Sequence, residues 1–181
     1  MAGSAVRPLK SVIDPGGSAL RIKRIDALPL ALPLRKVMLM AGVRIEFAEN
    51  LLVRIEADNG LVGWGEAYGS IWPAVVAAID GWIAPLVIGK QVDDVALPAQ
   101  LERTLHNLGR AGATIHAISG LDIALWDLRG KLAGVPVSTL LGGRKRDRLE
   151  AYGSLLQYNG VIDDVRRVVT RALENGYRQI K

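Results

Sequence analysis

The most constraining feature of this chain is a set of apolar residues over 115–132 that recur at spacings of three and four. This spacing is the period of one helix face. Gly134 suits a left-handed helix cap, and Pro136 follows where a helix cannot continue. We therefore predict a buried helix that ends near Gly134, with one stripe in the core: Ile115, Ile118, Leu121, Leu125, Leu128 and Leu132.

The remaining residues of this helix predict contacts on a second side. Ile123 and Trp126 lie off the stripe, and a helix that is apolar on more than one face is normally packed on more than one side. Asp127 and Lys131 form an i,i+4 pair with the acid first, and Arg129 lies near the C-terminal end, where the helix dipole favours cations. Small residues would let a neighbouring element come close: Ala117, Ser119, Gly120 and Ala124.

Three strands are predicted before this helix. Pro29 and Pro33 place the first at a sheet edge, because proline cannot donate to a ladder. The tripeptide Asp58-Asn59-Gly60 predicts a hairpin, since Asn-Gly accepts positive φ at both central turn positions. We expect an antiparallel meander over 20–34, 43–57 and 61–67, with a loop over 35–42.

Two further helices are predicted between the meander and the long helix. Pro73 lies in the first turn of the first one, and Pro85 ends it. Asp93 and Asp94 mark the start of the second, which runs to about Leu108. The first helix has an apolar face: Val75, Val76, Ile79, Trp82 and Ile83.

The last part of the chain has a strand–helix–strand pattern. We predict a short strand over 149–154, then a helix with Asp163 and Asp164 in its first turn and Gly176 as its cap. A second strand begins at Tyr177. This order is one β/α repeat, the unit of a parallel barrel. The apolar face of the helix consists of Val161, Val165, Val168, Val169, Ala172 and Leu173.

Composition excludes several classes of function. The chain has no cysteine, so it has neither a disulfide framework nor a thiolate nucleophile. The net charge of +5 comes with a basic cluster over 144–148, but without interleaved aromatics we expect no nucleic-acid site. No apolar run reaches the length of a membrane span, and the N-terminus lacks the charged-then-apolar order of a signal peptide. We therefore expect a cytoplasmic location and no membrane partner. Residues 1–19 are rich in Gly, Pro and Ser and are predicted to be a disordered tail.

The long helix and the segment that follows it also contain a specific sequence pattern. In order it comprises Asp122, Trp126-Asp127, Gly130-Lys131, Pro136 and Leu140-Leu141-Gly142-Gly143. This pattern resembles the signature of the mandelate racemase/muconate lactonizing enzyme family, within the enolase superfamily. The resemblance implies an α+β capping domain over 20–143, a three-stranded antiparallel meander plus helices. It also implies the start of a (β/α) TIM-type barrel over 144–181, truncated after its second strand.

The resemblance implies a chemistry as well. Such enzymes remove a proton α to a carboxylate and stabilise the enediolate with bound Mg²⁺. Their second barrel strand ends in Lys-x-Lys, and Lys181 matches the first lysine of that pair. The metal ligands of the family lie on the third to fifth barrel strands, so no residue here is predicted to be a metal ligand. We expect this chain alone to be inactive, with Lys181 as its one catalytic residue.

Two loops of the capping domain select substrates in the family. Here they correspond to 35–42, with Met38 and Met40, and to 66–72, with Tyr68, Ser70 and Ile71. Methionine adapts to irregular shapes, and tyrosine suits a partly wet pocket. The implied substrate is a small carboxylate, a hydroxy acid or acid sugar, and the complete enzyme is expected to be a homo-oligomer. His106 and His116 are assigned structural roles.

Two functions therefore remain open at this point. The first is the N-terminal portion of a racemase, cycloisomerase or acid-sugar dehydratase. The second is a non-catalytic module with the cap fold, which binds a partner through the surface that a barrel would cover.

Overall fold

The computed structural model describes residues 20–40, 43–155 and 161–181, so the predicted tail over 1–19 lies outside the described residues. The chain divides into two compact units. Among the described residues, the first comprises 20–33 and Phe47–Gly143, and the second comprises 34–40, 43–46, 144–155 and 161–181.

The predicted meander is confirmed as a three-stranded antiparallel sheet in the order β1-β2-β3. Its strands are β1 (Ile22–Met40), β2 (Val43–Ala57) and β3 (Val62–Ala67). The predicted loop over 35–42 is wrong, because β1 continues to Met40. Since β1 is the edge strand, Pro29 and Pro33 can direct their missing donors away from β2 and leave the ladder intact.

The β2–β3 hairpin is confirmed, with a three-residue turn. Glu56 pairs with Val62, and the Ala57 N–H donates to the Leu61 carbonyl at 2.9 Å. Gly60 has a φ of +84°, and the Asn59 side chain accepts the Leu61 N–H at 3.0 Å. The left-handed conformation therefore lies at the glycine that closes the turn.

A continuous helical segment follows β3. It consists of a 3₁₀ turn at Gly69–Ile71, α1 (Trp72–Ala78), a π turn at Ile79–Ile83 and α2 (Ala84–Val87). The prediction that Pro85 ends this helix is wrong. The π turn shifts the hydrogen-bond register, and Pro85 then lies in a first turn, where its missing N–H costs little.

Burial in this segment selects one face. Val75, Ile79, Ile83 and Val87 are fully buried, whereas Trp82, predicted on the apolar face, is 53% exposed. By length and composition alone, 69–87 could cross a membrane, a test that buried core helices also pass. The four buried residues belong to the hydrophobic core of the first unit.

The second predicted helix is shorter than expected. It is α3 (Leu97–Thr104), followed by a separate 3₁₀ turn at His106–Leu108. Asp94 lies before this helix rather than in it. Its side chain accepts a hydrogen bond from the Ala96 N–H at 2.9 Å and one from the Gln100 side-chain amide at 3.1 Å. Asp94 therefore terminates the preceding turn and stabilises the start of α3 from outside.

The predicted long helix is α4 (Ala113–Ala133), and its C-terminal cap is confirmed. Gly134 has φ +65° and ψ +25°, and the Val135 N–H donates to the Gly130 carbonyl at 3.0 Å. The predicted second packing side is only partly present in the described structure, since Ile123 is 48% exposed and Trp126 half-buried. The stripe is buried at Ile118, Leu121, Leu125 and Leu128 and partly buried at its two ends.

Helix α4 packs directly on the backbone of β3. A Cβ atom added at Gly65 would lie 2.2 Å from the Gly120 carbonyl oxygen, and one added at Gly63 would lie 2.2 Å from that of Ala124. A Cβ at Gly120 would lie 2.9 Å from the Cβ of Ala67. The predicted close approach along the small residues is thus confirmed at Gly120 and Ala124, while Ser119 is exposed.

Polar contacts fix the register of α4 on β3. The Asp127 carboxylate accepts the Trp64 backbone N–H at 2.8 Å and the Lys131 ammonium at 2.6 Å. Lys131 also donates to the Val62 carbonyl at 3.0 Å. The predicted i,i+4 pair therefore exists, and both partners also bind the strand.

Asp127→Ala is expected to lower the free energy of unfolding by about 1–2 kcal/mol, because a backbone donor of β3 loses its partner and an ion pair is lost. Asp163→Ala is the matched control. It removes an exposed pair with Arg166 and should cost under about 0.5 kcal/mol. Urea unfolding measures both values, and equal losses would contradict a role for Asp127 beyond a surface charge.

After Pro136 the first unit contains one more short helix, α5 (Val137–Leu140). In the second unit, β4 (Tyr152–Gly153) and β5 (Gln179–Ile180) form a parallel pair connected through α6 (Ile162–Glu174). The predicted strand over 149–154 is thus limited to two residues. Gly176, at φ +88°, lies after α6, and the Tyr177 N–H donates to the Ala172 carbonyl at 3.1 Å, as its predicted capping role requires. Large apolar side chains of this unit are exposed: Leu149, Tyr152, Ile162 and Leu173.

Candidate functional site

Lys181 lies where the parallel pair ends. Its N–H donates to the Gly153 carbonyl at 2.9 Å, and its own carbonyl accepts the Leu155 N–H at 2.9 Å. The backbone of Lys181 therefore continues the β4–β5 ladder, and its side chain is exposed.

The first predicted selectivity loop is part of a strand. Met38 and Met40 both lie in β1. Met38 is half-buried, and the side chain of Met40 lies outside what the structure describes. Both residues belong to the same compact unit as Lys181.

The second predicted loop, over 66–72, belongs to the first unit. Tyr68 is 53% exposed, Ser70 is exposed, and Ile71 is at the border of exposure. A Cβ atom at Gly69 would lie 1.9 Å from the Glu49 carbonyl oxygen, so only glycine fits there. The loop is thus pressed onto β2 and presents Tyr68, Ser70 and Ile71 outward.

Two side-chain contacts hold the start of this loop. The Asn50 side-chain amide donates to the Glu66 carboxylate at 2.6 Å. The rings of Tyr68 and His116 lie 5.1 Å apart between centroids, tilted by 37°. His116 lies in the first turn of α4, and the sequence carries no signal that pairs it with Tyr68, because 48 positions separate the two.

A second feature that the sequence did not reveal is a fully buried arginine. Arg129, assigned to the helix C-terminal dipole by sequence, is 0% exposed. Its Nε donates to the Val92 carbonyl at 2.8 Å, and its Nη2 donates to the Asp94 carbonyl at 2.9 Å. Its guanidinium carbon lies 5.0 Å from the centre of the Trp126 ring. Arg129 therefore binds the segment before α3 to α4.

Burial sets the electrostatics of this cluster. It lowers the pKa of Arg129, and the nearby carboxylates of Asp122, Asp94 and Asp93 act in the opposite direction. Burial raises the pKa of the Asp122 carboxyl, while the Arg129 charge and a hydrogen bond from Trp126 lower it. Arg129 and Asp122 thus stabilise each other's charged form in a partly dry environment.

The family model of the mandelate racemase/muconate lactonizing enzyme N-terminal domain matches residues 26–142. This range contains the meander from β1 onward, α4 and the signature after it. The chain belongs to the mandelate racemase/muconate lactonizing enzyme family. Its fold is therefore the α+β capping domain of the enolase superfamily, as the signature predicts.

Relatives and solved structures agree with this membership. The chain is 40% identical over 144 residues to a D-galactarolactone cycloisomerase from Agrobacterium fabrum, which covers 77% of this chain and 36% of that protein. It is 37% identical over 136 residues to a D-galactonate dehydratase family member from Catenulispora acidiphila, covering 72% and 30%. An enolase from Bradyrhizobium crystallised with magnesium and mandelic acid superposes with a TM-score of 0.74 at 30% identity, covering 91% and 45%.

The chain thus spans about a third of these curated relatives and under half of the solved chain. The family implies magnesium, and acidic side chains would be its ligands. Within 20–40, 43–155 and 161–181, no group of three or more His, Asp or Glu side chains is placed to hold a metal ion. The neighbouring pairs Asp93–Asp94 and Asp163–Asp164 both precede or begin helices. The described residues do not fit a magnesium site.

Proposed function

We propose that this chain supplies the capping domain and the first β/α unit of an enzyme that removes a proton α to a carboxylate. The match of the family model over 26–142 carries the proposal. The parallel β4–β5 pair connected through α6 supports it, because this arrangement is the unit of a β/α barrel. Magnesium is proposed for the complete enzyme, with ligands on strands outside this chain.

The proposed substrate is a small acid sugar or hydroxy acid. The cycloisomerase and dehydratase among the relatives are named for galactarolactone and galactonate, and the Bradyrhizobium structure contains mandelic acid. We favour the polyhydroxylated acids and hence cycloisomerisation or dehydration over racemisation. The curated relatives that support this share 37–40% identity with the chain.

Each predicted site residue has a proposed part in that reaction. We propose that Lys181 takes part through its Nζ, and a second cation two residues further on a strand would share its face. Such a neighbour would lower the pKa of a lysine and make it a usable base. We propose that Met38, Met40, Tyr68, Ser70 and Ile71 take part in selecting the substrate.

Several properties of the complete protein are also proposals. We propose a cytoplasmic homo-oligomer without nucleic-acid or membrane partners. The 181-residue chain by itself is proposed to be inactive, because an enediolate formed on it would have no metal counter-charge. A non-catalytic module that binds a partner remains the alternative, which the following experiment separates.

The test is a chimera in which this chain replaces the matching portion of the Agrobacterium fabrum cycloisomerase. Exchange of the substrate α-proton in deuterated water would be followed for galactarate, galactonate and mandelate, with magnesium. We expect magnesium-dependent exchange on at least one sugar acid, abolished by replacing Lys181 with methionine. Arg178→Met is the control, because this exposed residue on the approach to β5 has no proposed role. A folded chimera without exchange would contradict the proposal and favour the binding module.

A further inference from the structure

The contacts between α4 and the end of β3 follow a regular series. Ala124, Gly120 and His116 are spaced by four residues, so they lie along one face of α4. The backbone of Gly65 lies against Ala124 and Gly120, and Gly120 also lies against Ala67. The next residue of the chain, Tyr68, contacts His116. Successive turns of the helix therefore contact successive positions toward the end of the strand.

The nature of the contact changes at the last step. As far as Ala67, small residues bring the two backbones together. Beyond Ala67 the strand ends, and the contact between the helix and the chain is made by two rings. Offset or tilted rings with centroids 4.5–7 Å apart attract each other, and such a contact restricts the side chain that carries the exposed hydroxyl.

The loop that follows is held on its other side as well. Gly69 lies against the Glu49 carbonyl oxygen, and Glu66 is hydrogen-bonded to Asn50 of β2. Between these two points, Tyr68 is the residue that leaves the sheet and is half exposed. His116 is then the contact that decides where the Tyr68 ring points, because the neighbouring backbone is already fixed.

We propose that His116 is a positioning residue that holds the Tyr68 ring in one orientation, so that the hydroxylated chain of the sugar acid can pack against it. This role rests on the proposed function, since it requires that loop 66–72 face a substrate. An aromatic face binds the C–H groups of a sugar, and its hydroxyl reaches one hydroxyl group. Order in the free protein reduces the entropy lost on binding. His116 acts through Tyr68 and touches no reacting atom.

The first test needs no activity and uses the 181-residue chain. Amide hydrogen exchange over 66–72 would be compared in the wild type, His116→Ala, His116→Phe and Ser119→Ala. We expect exchange at least about fivefold faster in His116→Ala, and within about twofold of the wild type in His116→Phe, which keeps a ring. Ser119→Ala is the control because Ser119 is exposed on the same helix and off the series.

Unchanged exchange in His116→Ala, or equal acceleration in Ser119→Ala, would overturn the positioning role. Should His116→Ala not fold, as judged by circular dichroism, His116→Leu provides the comparison with His116→Phe. Acceleration in the leucine variant alone supports the proposal, and identical exchange in the two overturns it.

The second test uses the active chimera. We expect His116→Ala to raise KM for the sugar acid about tenfold with kcat within about threefold, and His116→Phe to restore KM. An unchanged KM would overturn the substrate role, even where exchange has confirmed the contact. A chimera that is inactive with wild-type His116 would contradict both the proposed function and the substrate role of Tyr68. The exchange data on the free chain would still show whether His116 restricts the segment 66–72.

Discussion

Gly65→Ala is expected to lower the free energy of unfolding by about 3 kcal/mol or more, at the upper end of the cost of overpacking a core. The added Cβ would lie 2.2 Å from the Gly120 carbonyl oxygen and 2.7 Å from the Ala124 backbone nitrogen. Both are backbone atoms of α4, which cannot rotate aside as a side chain can. The helix would have to move away from β3 and would lose the contacts along its buried face.

Gly81→Ala is the matched control for this prediction. Gly81 lies in the π turn, and a Cβ there meets no heavy atom within 4 Å. Alanine has the higher helix propensity, so this change should stabilise the protein by up to about 1 kcal/mol. Urea unfolding of the two variants gives the comparison. Losses that agree within about 0.5 kcal/mol would show that β3 and α4 are not in close contact.

Arg129→Met is expected to cost about 3 kcal/mol, because it removes a buried cation that binds two carbonyls and faces carboxylates. The carbonyls of Val92 and Asp94 would lose their donors in the core, and Asp122 would lose its counter-charge. Arg103→Met is the control. Arg103 is exposed at the end of α3, so its replacement should change stability by less than about 0.5 kcal/mol.

The loss in Arg129→Met should also depend on pH. Burial already raises the pKa of Asp122, and without the Arg129 charge it rises further. A carboxyl with a raised folded pKa lowers stability at neutral pH, and this penalty disappears as the pH falls through that pKa. The deficit of the variant relative to the wild type should therefore shrink between neutral and mildly acidic pH.

Asp122→Asn in the same background should remove most of that pH dependence, although Asp93 and Asp94 also face the guanidinium. A double-mutant cycle over the two substitutions measures the coupling between Arg129 and Asp122. Additive effects and a deficit that is constant with pH would contradict the account of this buried cluster.

The parts of the fold that were predictable depend on local chemistry. The period of the α4 stripe, Gly134 as its cap and the Asn59-Gly60 turn each describe neighbours along the chain, and all three are confirmed. The signature over 122–143 extended those local predictions to a family. Its pattern includes Asp127 and Lys131, which the structure shows binding β3.

The errors arise where tertiary contacts override local signals. The prolines of β1 correctly predicted an edge strand, but the strand was expected to end at Leu34 and continues to Met40. Pro85 was expected to stop a helix, and a π turn accommodates it. The burial of Arg129 depends on carbonyls 35 and 37 positions earlier, which no local pattern indicates.

The candidate site was predictable only in part, for the same reason. The resemblance assigned a catalytic role to Lys181 and a role in selectivity to 35–42 and 66–72 by their order in the chain, and these roles stay predictions. The loop 66–72 does expose Tyr68, Ser70 and Ile71, but Met38 and Met40 lie in a strand. The contact between Tyr68 and His116 joins distant segments, so it required the structure.

We propose that this chain carries the capping domain and one lysine of an active site whose metal ligands lie on other strands. Calorimetric titration with magnesium, run in parallel on the 181-residue chain and on the chimera with the cycloisomerase barrel, tests it most directly. We expect specific magnesium binding by the chimera and none by the 181-residue chain. We also expect α-proton exchange by the chimera alone. Micromolar magnesium binding by the 181-residue chain, or α-proton exchange that Lys181→Ala abolishes in it, would contradict the account.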